Sequence, residues 1–180
     1  MNLEGTQTEM NLYKTFSGES RAFTLYTLFA EIARREGYQW IGELFDDTAH
    51  NELAHARVVS ANFLKILGDT KQNLVDAIKG EVGEFRDIYK QDEEEAREEG
   101  FTEIADFYKE LREVEESHAT EYKEVYDKLE DGTIFEGPVG SKWYCMNCGY
   151  IYEGTKVPAV CPLCKFPRGY FAPVCDITNA

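Results

Sequence analysis

Residues 39–67 read QWIGELFDDTAHNELAHARVVSANFLKIL, and this stretch decides the fold. Apolar side chains recur in it at alternating steps of four and three, which is the periodicity of one face of an α-helix. Glu52 and His55 lie on the same face as Ile41 and Val59. A carboxylate on the buried face of a helix is costly unless it is paired or binds a cation. The pattern therefore predicts a helix that carries functional groups near its centre.

Three other segments of the first 136 residues repeat this arrangement. The region contains no proline, and Gly37, Gly68 and Gly100 stand at positions typical of helix ends. We predict four helices of about 40 Å each at 1.5 Å per residue, over residues 7–36, 39–67, 71–99 and 102–130. The predicted apolar face of the third helix includes Phe85 and Ile88. Such amphipathic helices pack as a four-helix bundle.

Each predicted helix places acidic or imidazole groups on its apolar face near mid-length. Side chains three residues apart point the same way, so these groups meet at one level of the core. The set comprises Glu19 on the first helix, Glu52 and His55 on the second, Glu81 and Glu84 on the third, and Glu115 and His118 on the fourth. Carboxylates with imidazoles suit iron or manganese and also accept zinc. Two Glu-x-x-His pairs with matched partners predict a dinuclear metal site of the kind found in ferritin-like bundles.

The last 44 residues differ from the rest in their cysteines. All five cysteines lie there, and twelve residues separate Cys145-x-x-Cys148 from Cys161-x-x-Cys164. Paired motifs at this spacing predict a tetrahedral four-sulfur site, whose metal helps to fold a segment too short for a core of its own. Structural zinc and a redox iron both fit four thiolates, and the aromatic residues around the motifs favour iron. Cys175 has no partner in the motif and is predicted to be a free thiol.

Charge also separates the chain into two predicted domains. Residues 1–136 carry 15 basic and 32 acidic side chains, whereas residues 137–180 carry 4 and 2. We place the bundle at 1–136, the cysteine-rich domain at 137–180, and a glycine-rich linker at about 131–142. The net charge of −15 argues against partners such as nucleic acid or an anionic membrane surface.

The sequence also bears on the compartment. No apolar run is long enough to span a bilayer, and no basic segment followed by an apolar core is present, so we expect neither a membrane span nor a signal peptide. An odd number of cysteines fits a reducing compartment better than a disulfide framework. We therefore expect a cytoplasmic protein.

The order of these motifs resembles that of the rubrerythrin family. The resemblance lies in Gly18-Glu19-Ser20, Glu52-Leu-Ala-His55, Gly80-Glu81-Val-Gly-Glu84 and Glu115-Glu-Ser-His118, together with a cysteine-rich tail that resembles rubredoxin. It covers essentially the whole chain. It implies an all-α ferritin-like bundle that holds two iron ions, followed by a small rubredoxin-like β module that holds one.

The resemblance also implies an activity. Rubrerythrins reduce hydrogen peroxide to water at the di-iron site, with electrons relayed through the rubredoxin-type iron from an NAD(P)H-dependent reductase or a rubredoxin. A non-haem di-iron peroxidase of oxidative-stress defence is therefore expected. A ferroxidase that stores or buffers iron is the alternative, although storage by oxidation needs no one-electron module. A zinc-ribbon interaction protein with an inactive bundle is a third interpretation.

The resemblance assigns a role to each predicted site residue. The implied assignment is Glu19 on the first iron, Glu81 and His118 on the second, and Glu52 and Glu115 as bridges between them. Glu84 and His55 exchange on the first iron, the carboxylate binding in the oxidised state and the imidazole in the reduced state. Tyr26 and Tyr89 match tyrosines near the cluster, where either bundle packing or a proton-donating or hydrogen-bonding role is expected.

One residue departs from the family pattern. Lys165 follows Cys164 at a position where rubredoxins usually have glycine. If this residue needs a positive φ, a lysine costs roughly 1 kcal/mol there, without removing a ligand.

The connector between the second and third helices predicts how two chains associate. Only 26 residues separate His55 from Glu81, and the two helices need about 22 of them. The remaining four span at most about 14 Å, whereas parallel helices of a ferritin-like bundle require a return of roughly 33 Å. We therefore expect a domain-swapped homodimer, in which the first two helices of one chain pack with the last two of the other. A simple antiparallel hairpin of the second and third helices is the alternative.

Overall fold

The structure is a computed structural model that describes residues 2–174 and consists of long helices followed by a small β region. The helices are α1 (Gln7–Arg35), α2 (Gln39–Val58), α3 (Thr70–Gly83), α4 (Tyr89–Glu98) and α5 (Thr102–Glu130). A π-helical turn at Val59–Leu64 extends α2, and another at Glu84–Ile88 joins α3 to α4. The prediction of four long helices is confirmed, because α3, its π turn and α4 follow one another without a break.

Local sequence explains where several helices begin and end. Thr6 Oγ1 accepts a hydrogen bond from the Glu9 N–H at 3.1 Å, so Thr6 caps α1. Gly37 and Gly100 follow α1 and α4 with φ of 91° and 86°, a conformation that glycine adopts without a steric penalty. The second long helix ends at Leu64 rather than at residue 67, because Lys65 already takes a left-handed conformation with φ of 53°.

The first compact unit, Met1–Asp69, is a hairpin of α1 and α2. Its buried residues are small, and they include Ala30, Ala33, Gly42, Ala49 and Ala56. A methyl group on Gly42 would lie 2.9 Å from Arg34 Cγ and 3.3 Å from the Ala30 carbonyl oxygen. Arg34 also forms an ion pair with Asp46 across this contact. Gly42 therefore lets the two helices approach closely.

The second compact unit, Thr70–Ala180, contains α3, α4 and α5 together with the β region. Helix α5 packs against both α3 and α4. Arg112 on α5 donates to the Phe85 carbonyl at 2.9 Å and to Glu93 at 2.8 Å. Its hydrogen bond, and a second one from Arg97, lower the pKa of Glu93.

The π turn at Glu84–Ile88 was not expected from the sequence. Ile88, which was predicted on the apolar face of the third helix, is 54% exposed, like other large apolar residues of this unit. The wider turn shifts the residues that follow it, so that Tyr89 faces α5 with its ring 5.9 Å from that of Tyr108.

Both helical units leave large apolar side chains exposed. The exposed set includes Leu28, Phe29, Ile32, Leu44 and Val58 in the first unit, and Ile104, Phe107, Val114 and Val125 in the second. The buried residues of these helices are mainly alanines. Such wide apolar faces are typical of surfaces that another element or chain covers.

The β region is a three-stranded antiparallel sheet in the order β2-β1-β3, made of β1 (Lys142–Cys145), β2 (Ile151–Glu153) and β3 (Phe171–Pro173). Its core consists of Trp143, Cys145, Val157, Cys161 and Phe171. The Trp143 Nε1–H donates to the Gly154 carbonyl at 3.1 Å, which satisfies the indole of this buried side chain. The predicted domain boundary at residue 136 stays a prediction. Within residues 2–174, no helix has the length and hydrophobicity that a bilayer span requires.

The close approach at Gly42 leads to a test of the first unit. Gly42→Ala is expected to lower the free energy of unfolding by about 1 kcal/mol, because overpacking costs about 1–3 kcal/mol and the gain in helix propensity returns only about 1 kcal/mol. Urea denaturation of the metal-free protein measures the difference. Gly80→Ala is the matched control, since no heavy atom lies within 4 Å of a methyl group there. Equal stability of the two variants would contradict the packing described.

Candidate metal centres

The first helical unit holds one cluster of metal-binding side chains. Glu19 projects from α1, and Glu52 and His55 project from α2. His55 Nδ1 lies 3.1 Å from a Glu52 carboxylate oxygen and 3.5 Å from a Glu19 oxygen. One ligand atom from each residue lies within 4.8 Å of the other two. Of the four helix faces that were predicted to meet, this unit brings two together, with three donor side chains.

The second helical unit holds a cluster of the same composition. Glu81 comes from α3, and Glu115 and His118 come from α5. His118 Nδ1 lies 2.8 Å from a Glu115 oxygen and 3.6 Å from a Glu81 oxygen. One ligand atom from each of these three residues likewise lies within 4.8 Å of the other two. Glu84 is outside this cluster and forms the first residue of the π turn.

Each cluster brings two carboxylates together, and this contact shifts the pKa values of these groups. The hydrogen bond with Glu52, followed by desolvation, raises the pKa of Glu19, whereas the bonds with Glu19 and His55 lower the pKa of Glu52. Desolvation, followed by the hydrogen bond with Glu115, raises the pKa of Glu81. Glu19 and Glu81 therefore hold their protons more firmly than an ordinary glutamate does. A bound cation would replace those protons.

The donor chemistry of the two clusters fits iron. Each cluster offers two carboxylates and one imidazole, which are the hard oxygen and nitrogen donors that iron and manganese accept. Together the clusters supply four carboxylates and two imidazoles, the set typical of dinuclear carboxylate sites in helix bundles. Each unit by itself carries half of that set.

The two predicted tyrosines have different surroundings. Tyr26 packs against Phe29 and Phe45, with both pairs of ring centroids 6.2 Å apart. Tyr89 ends the π turn, and desolvation, followed by the charge of Glu84, raises its pKa. The Tyr89 hydroxyl therefore stays protonated at neutral pH and is available as a hydrogen-bond donor. The catalytic roles of both tyrosines stay predictions.

The four cysteines of the β region form a third site. Cys145 Sγ lies 3.7 Å from Cys164 Sγ, and Cys148 Sγ lies 3.8 Å from Cys161 Sγ. A tetrahedron with metal–sulfur bonds of about 2.3 Å has edges of about 3.8 Å, so the sulfur atoms already have the spacing of a metal site. Cys175 lies outside the described residues.

The two cysteine turns have the same backbone design. The N–H groups of Gly149 and Lys165 donate to the carbonyls of Cys145 and Cys161 at 2.7 and 3.0 Å. Lys165 takes a positive φ of 64°, so the strain considered from the sequence is present. The Phe166 N–H contributes most to lowering the pKa of Cys164 to about 6, which makes Cys164 the thiol that ionises readily.

The π turn at Glu84 and the contacts of Arg112 were not predicted from the sequence. Gly83, a weak helix former directly before the turn, was the available signal for an irregular helix. Arg112 stands three residues before Glu115, a spacing that places both on one face of α5.

Comparisons with known proteins agree with the site chemistry. The family model described as rubrerythrin matches residues 10–126, and the model described as the rubrerythrin rubredoxin-like domain matches residues 143–172. The chain is 38% identical to a rubrerythrin of Porphyromonas gingivalis, over 96% of this chain and 92% of that protein. It is 37% identical to rubrerythrin-1 of Clostridium acetobutylicum and 34% identical to a rubrerythrin of Nitratidesulfovibrio vulgaris, each over 94% of this chain and 95% of the relative.

The carboxylate pair of the first unit leads to a prediction with a defined pH dependence. Glu19→Gln is expected to stabilise the metal-free protein at pH 7, because the amide does not ionise beside Glu52. The pKa of Glu19 is raised above its unfolded value of 4.5, so its ionised form destabilises the fold at higher pH. That cost shrinks as the pH falls through the raised pKa and is gone below the unfolded value of 4.5. Thermal unfolding in a chelator at pH 7 and at about one pH unit below 4.5 measures the change.

The same variant is expected to lose iron at the helical site, because glutamine replaces an anionic ligand. Glu31→Gln, at an exposed position of α1, is the matched control and should alter neither stability nor iron content. A Glu19→Gln protein that is less stable than wild type at pH 7, or that keeps its full iron content, would contradict this interpretation.

Proposed function

The chain belongs to the rubrerythrin family, and from this premise we propose that it is a non-haem di-iron peroxidase of oxidative-stress defence. Members of the family bind iron, and both helical clusters and the four-cysteine site have suitable donors. The observation that carries the proposal is the presence in one chain of two carboxylate–imidazole clusters and a four-thiolate site. The carboxylate–imidazole clusters suit peroxide chemistry, and the four-thiolate site suits one-electron transfer.

The proposed reaction converts one hydrogen peroxide into two waters and consumes two electrons and two protons. Bound iron supplies the electrons and the Lewis acidity. Tyr89, whose hydroxyl stays protonated, is the proposed hydrogen-bond donor toward the substrate oxygens, and Tyr26 is proposed for the same role. Protons enter at the carboxylates of the clusters, among which Glu19 and Glu81 have raised pKa values.

The ligand roles implied by the family are proposed for this chain. Glu52 and Glu115 are the proposed bridges, with Glu19, Glu81 and His118 as terminal ligands. Glu84 and His55 are proposed to exchange with oxidation state, since an anionic carboxylate suits the higher charge and a neutral imidazole the lower. One observation supports the exchange, because the His55 side chain is 61% exposed and is not held in place by surrounding packing.

Electrons are proposed to reach the di-iron site through Cys145, Cys148, Cys161 and Cys164, from a reductase that uses NAD(P)H or from a rubredoxin. All four thiols are free, which fits a reducing compartment and supports the proposed cytoplasmic location. A ferroxidase is less well supported, because storing iron by oxidation requires no such electron input.

A domain-swapped homodimer is proposed to complete each di-iron site. In each helical unit a cluster of only three proposed ligands comes together, and each unit exposes a wide apolar face. The connector after Leu64 has five residues before Thr70 and spans at most about 18 Å. A parallel arrangement within one chain would require a return of roughly 39 Å along the second long helix. A second copy supplies the missing half of the site without that return.

Mixed dimers test this assembly. We expect Glu52→Ala and Glu115→Ala chains to lack the di-iron site when each is refolded alone with iron. In a swapped heterodimer of the two, one site contains both substitutions and the other contains neither. A refolded equimolar mixture is therefore expected to regain about a quarter of the wild-type di-iron sites, since half of the dimers are mixed. Iron content and peroxide turnover measure the recovery.

The control is a mixture of Glu19→Ala and Glu52→Ala chains, in which both substitutions lie in the first unit. Each swapped site then keeps one damaged half, so no recovery is expected. Absence of recovery in the first mixture, with mixed dimers present by mass spectrometry, would contradict the swap and leave the peroxidase proposal standing.

The electron relay has a separate test. Cys161→Ser is expected to abolish most peroxide turnover driven by NADH and a rubredoxin reductase, because a buried thiolate of the four-cysteine site is lost. Oxidation of the chemically reduced di-iron site by peroxide, followed in a single turnover, should remain at the wild-type rate. Cys175→Ser, outside the four-cysteine motif, is the matched control and should retain both rates. Full NADH-linked turnover in Cys161→Ser would refute the relay.

A further inference from the structure

Arg112 spans the π-helical turn that carries Glu84, and we propose that it is a positioning residue of the di-iron site. It is neither a predicted nor an observed ligand. The inference rests on the proposed function for its consequence, but all the contacts that carry it lie within the second helical unit.

The first observation is the hydrogen bonding of the π turn. In an α-helix the Tyr89 N–H would donate to the carbonyl of Phe85, four residues back. It donates instead to the carbonyl of Glu84, five residues back. The Arg112 Nε–H donates to the Phe85 carbonyl at 2.9 Å. The guanidinium therefore binds the carbonyl that the wider turn withdraws from Tyr89.

The second observation is the other arm of the same side chain. Arg112 Nη1 donates to a Glu93 oxygen at 2.8 Å, and Arg97 donates to Glu93 at 3.2 Å. Only 30% of the Arg112 side chain and 16% of the Glu93 side chain are exposed, so water screens the pair less than it would a surface pair. The planar guanidinium thus fixes a carbonyl inside the turn and a carboxylate one helical turn beyond it.

The two hydrogen bonds of Arg112 matter for function because of the residues at the two ends of the turn. Glu84 begins the turn and Tyr89 follows it directly, and both are proposed site residues. A π turn contains one more residue than the α-helical turn it replaces, and its loss would rotate the following residues by about 100° and shift them by about 1.5 Å. Arg112 therefore sets how Tyr89, which follows the turn, is directed relative to Glu81 and Glu84.

The test uses three variants of the full-length protein. Arg112→Met keeps the aliphatic part of the side chain and loses both hydrogen bonds. Arg112→Lys keeps the positive charge but lacks the planar guanidinium that binds both partners at once. Glu93→Gln weakens the outer arm and leaves the Phe85 bond intact. In the metal-free protein, hydrogen exchange of the Tyr89 amide is expected to accelerate about tenfold in Arg112→Met, the effect of one buried hydrogen bond. We expect a smaller acceleration in Arg112→Lys and little change in Glu93→Gln.

In the iron-loaded protein, the midpoint potential of the di-iron site can be measured, and general destabilisation of the fold would not change it selectively. The midpoint potential of the di-iron site is expected to shift in Arg112→Met, whereas that of the four-cysteine iron in the same molecule should stay unchanged. An unchanged Tyr89 exchange rate, an unchanged di-iron potential, or equal shifts of both potentials would overturn the proposal. Failure of the proposed function would be recognised separately, because wild-type protein would then lack a peroxide-reactive di-iron site.

Discussion

The rest of the structure depends on the repulsion between carboxylates that neighbouring helices hold side by side. Glu19 lies against Glu52, and Glu81 lies against Glu115, on helices whose other inward residues are apolar or small. Without a cation, the hydrogen bond with Glu52 raises the pKa of Glu19 and desolvation raises that of Glu81, and the charge of the neighbouring carboxylate adds to both shifts. A metal ion provides stronger compensation, so the helices that carry these residues are stabilised by the ligand that they bind.

This constraint also explains why the two helical units are incomplete. Each unit gathers two carboxylates and one imidazole and packs its own helices through alanines and Gly42. The large apolar residues, such as Phe29 and Ile104, remain exposed on both units. A proposed second copy would cover those faces and complete the ligand set in the same step. Folding, dimer formation and metal binding would then be thermodynamically coupled.

The periodic parts of the fold were predictable from the sequence, and the irregular parts were not. Glutamate and histidine three residues apart lie on one helical face whatever the tertiary structure, so the pairs at Glu52 and Glu115 were found by spacing alone. The four cysteines followed from their motif in the same way. The π turn at Glu84–Ile88 was missed because it is bound by Arg112 from another helix, which local sequence does not indicate. The second long helix ended early, at Leu64, because Lys65 takes a left-handed conformation that local helix propensity does not indicate.

The central claim is that the carboxylate–imidazole clusters form a site that reacts with peroxide. Its most direct test is a stopped-flow measurement on the fully reduced, iron-loaded protein, mixed in parallel with hydrogen peroxide and with dioxygen at equal concentration. We expect the di-iron absorption to return much faster with peroxide than with dioxygen, and the four-cysteine iron to be oxidised afterwards. Reoxidation by dioxygen at an equal or higher rate would contradict the claim and favour a ferroxidase.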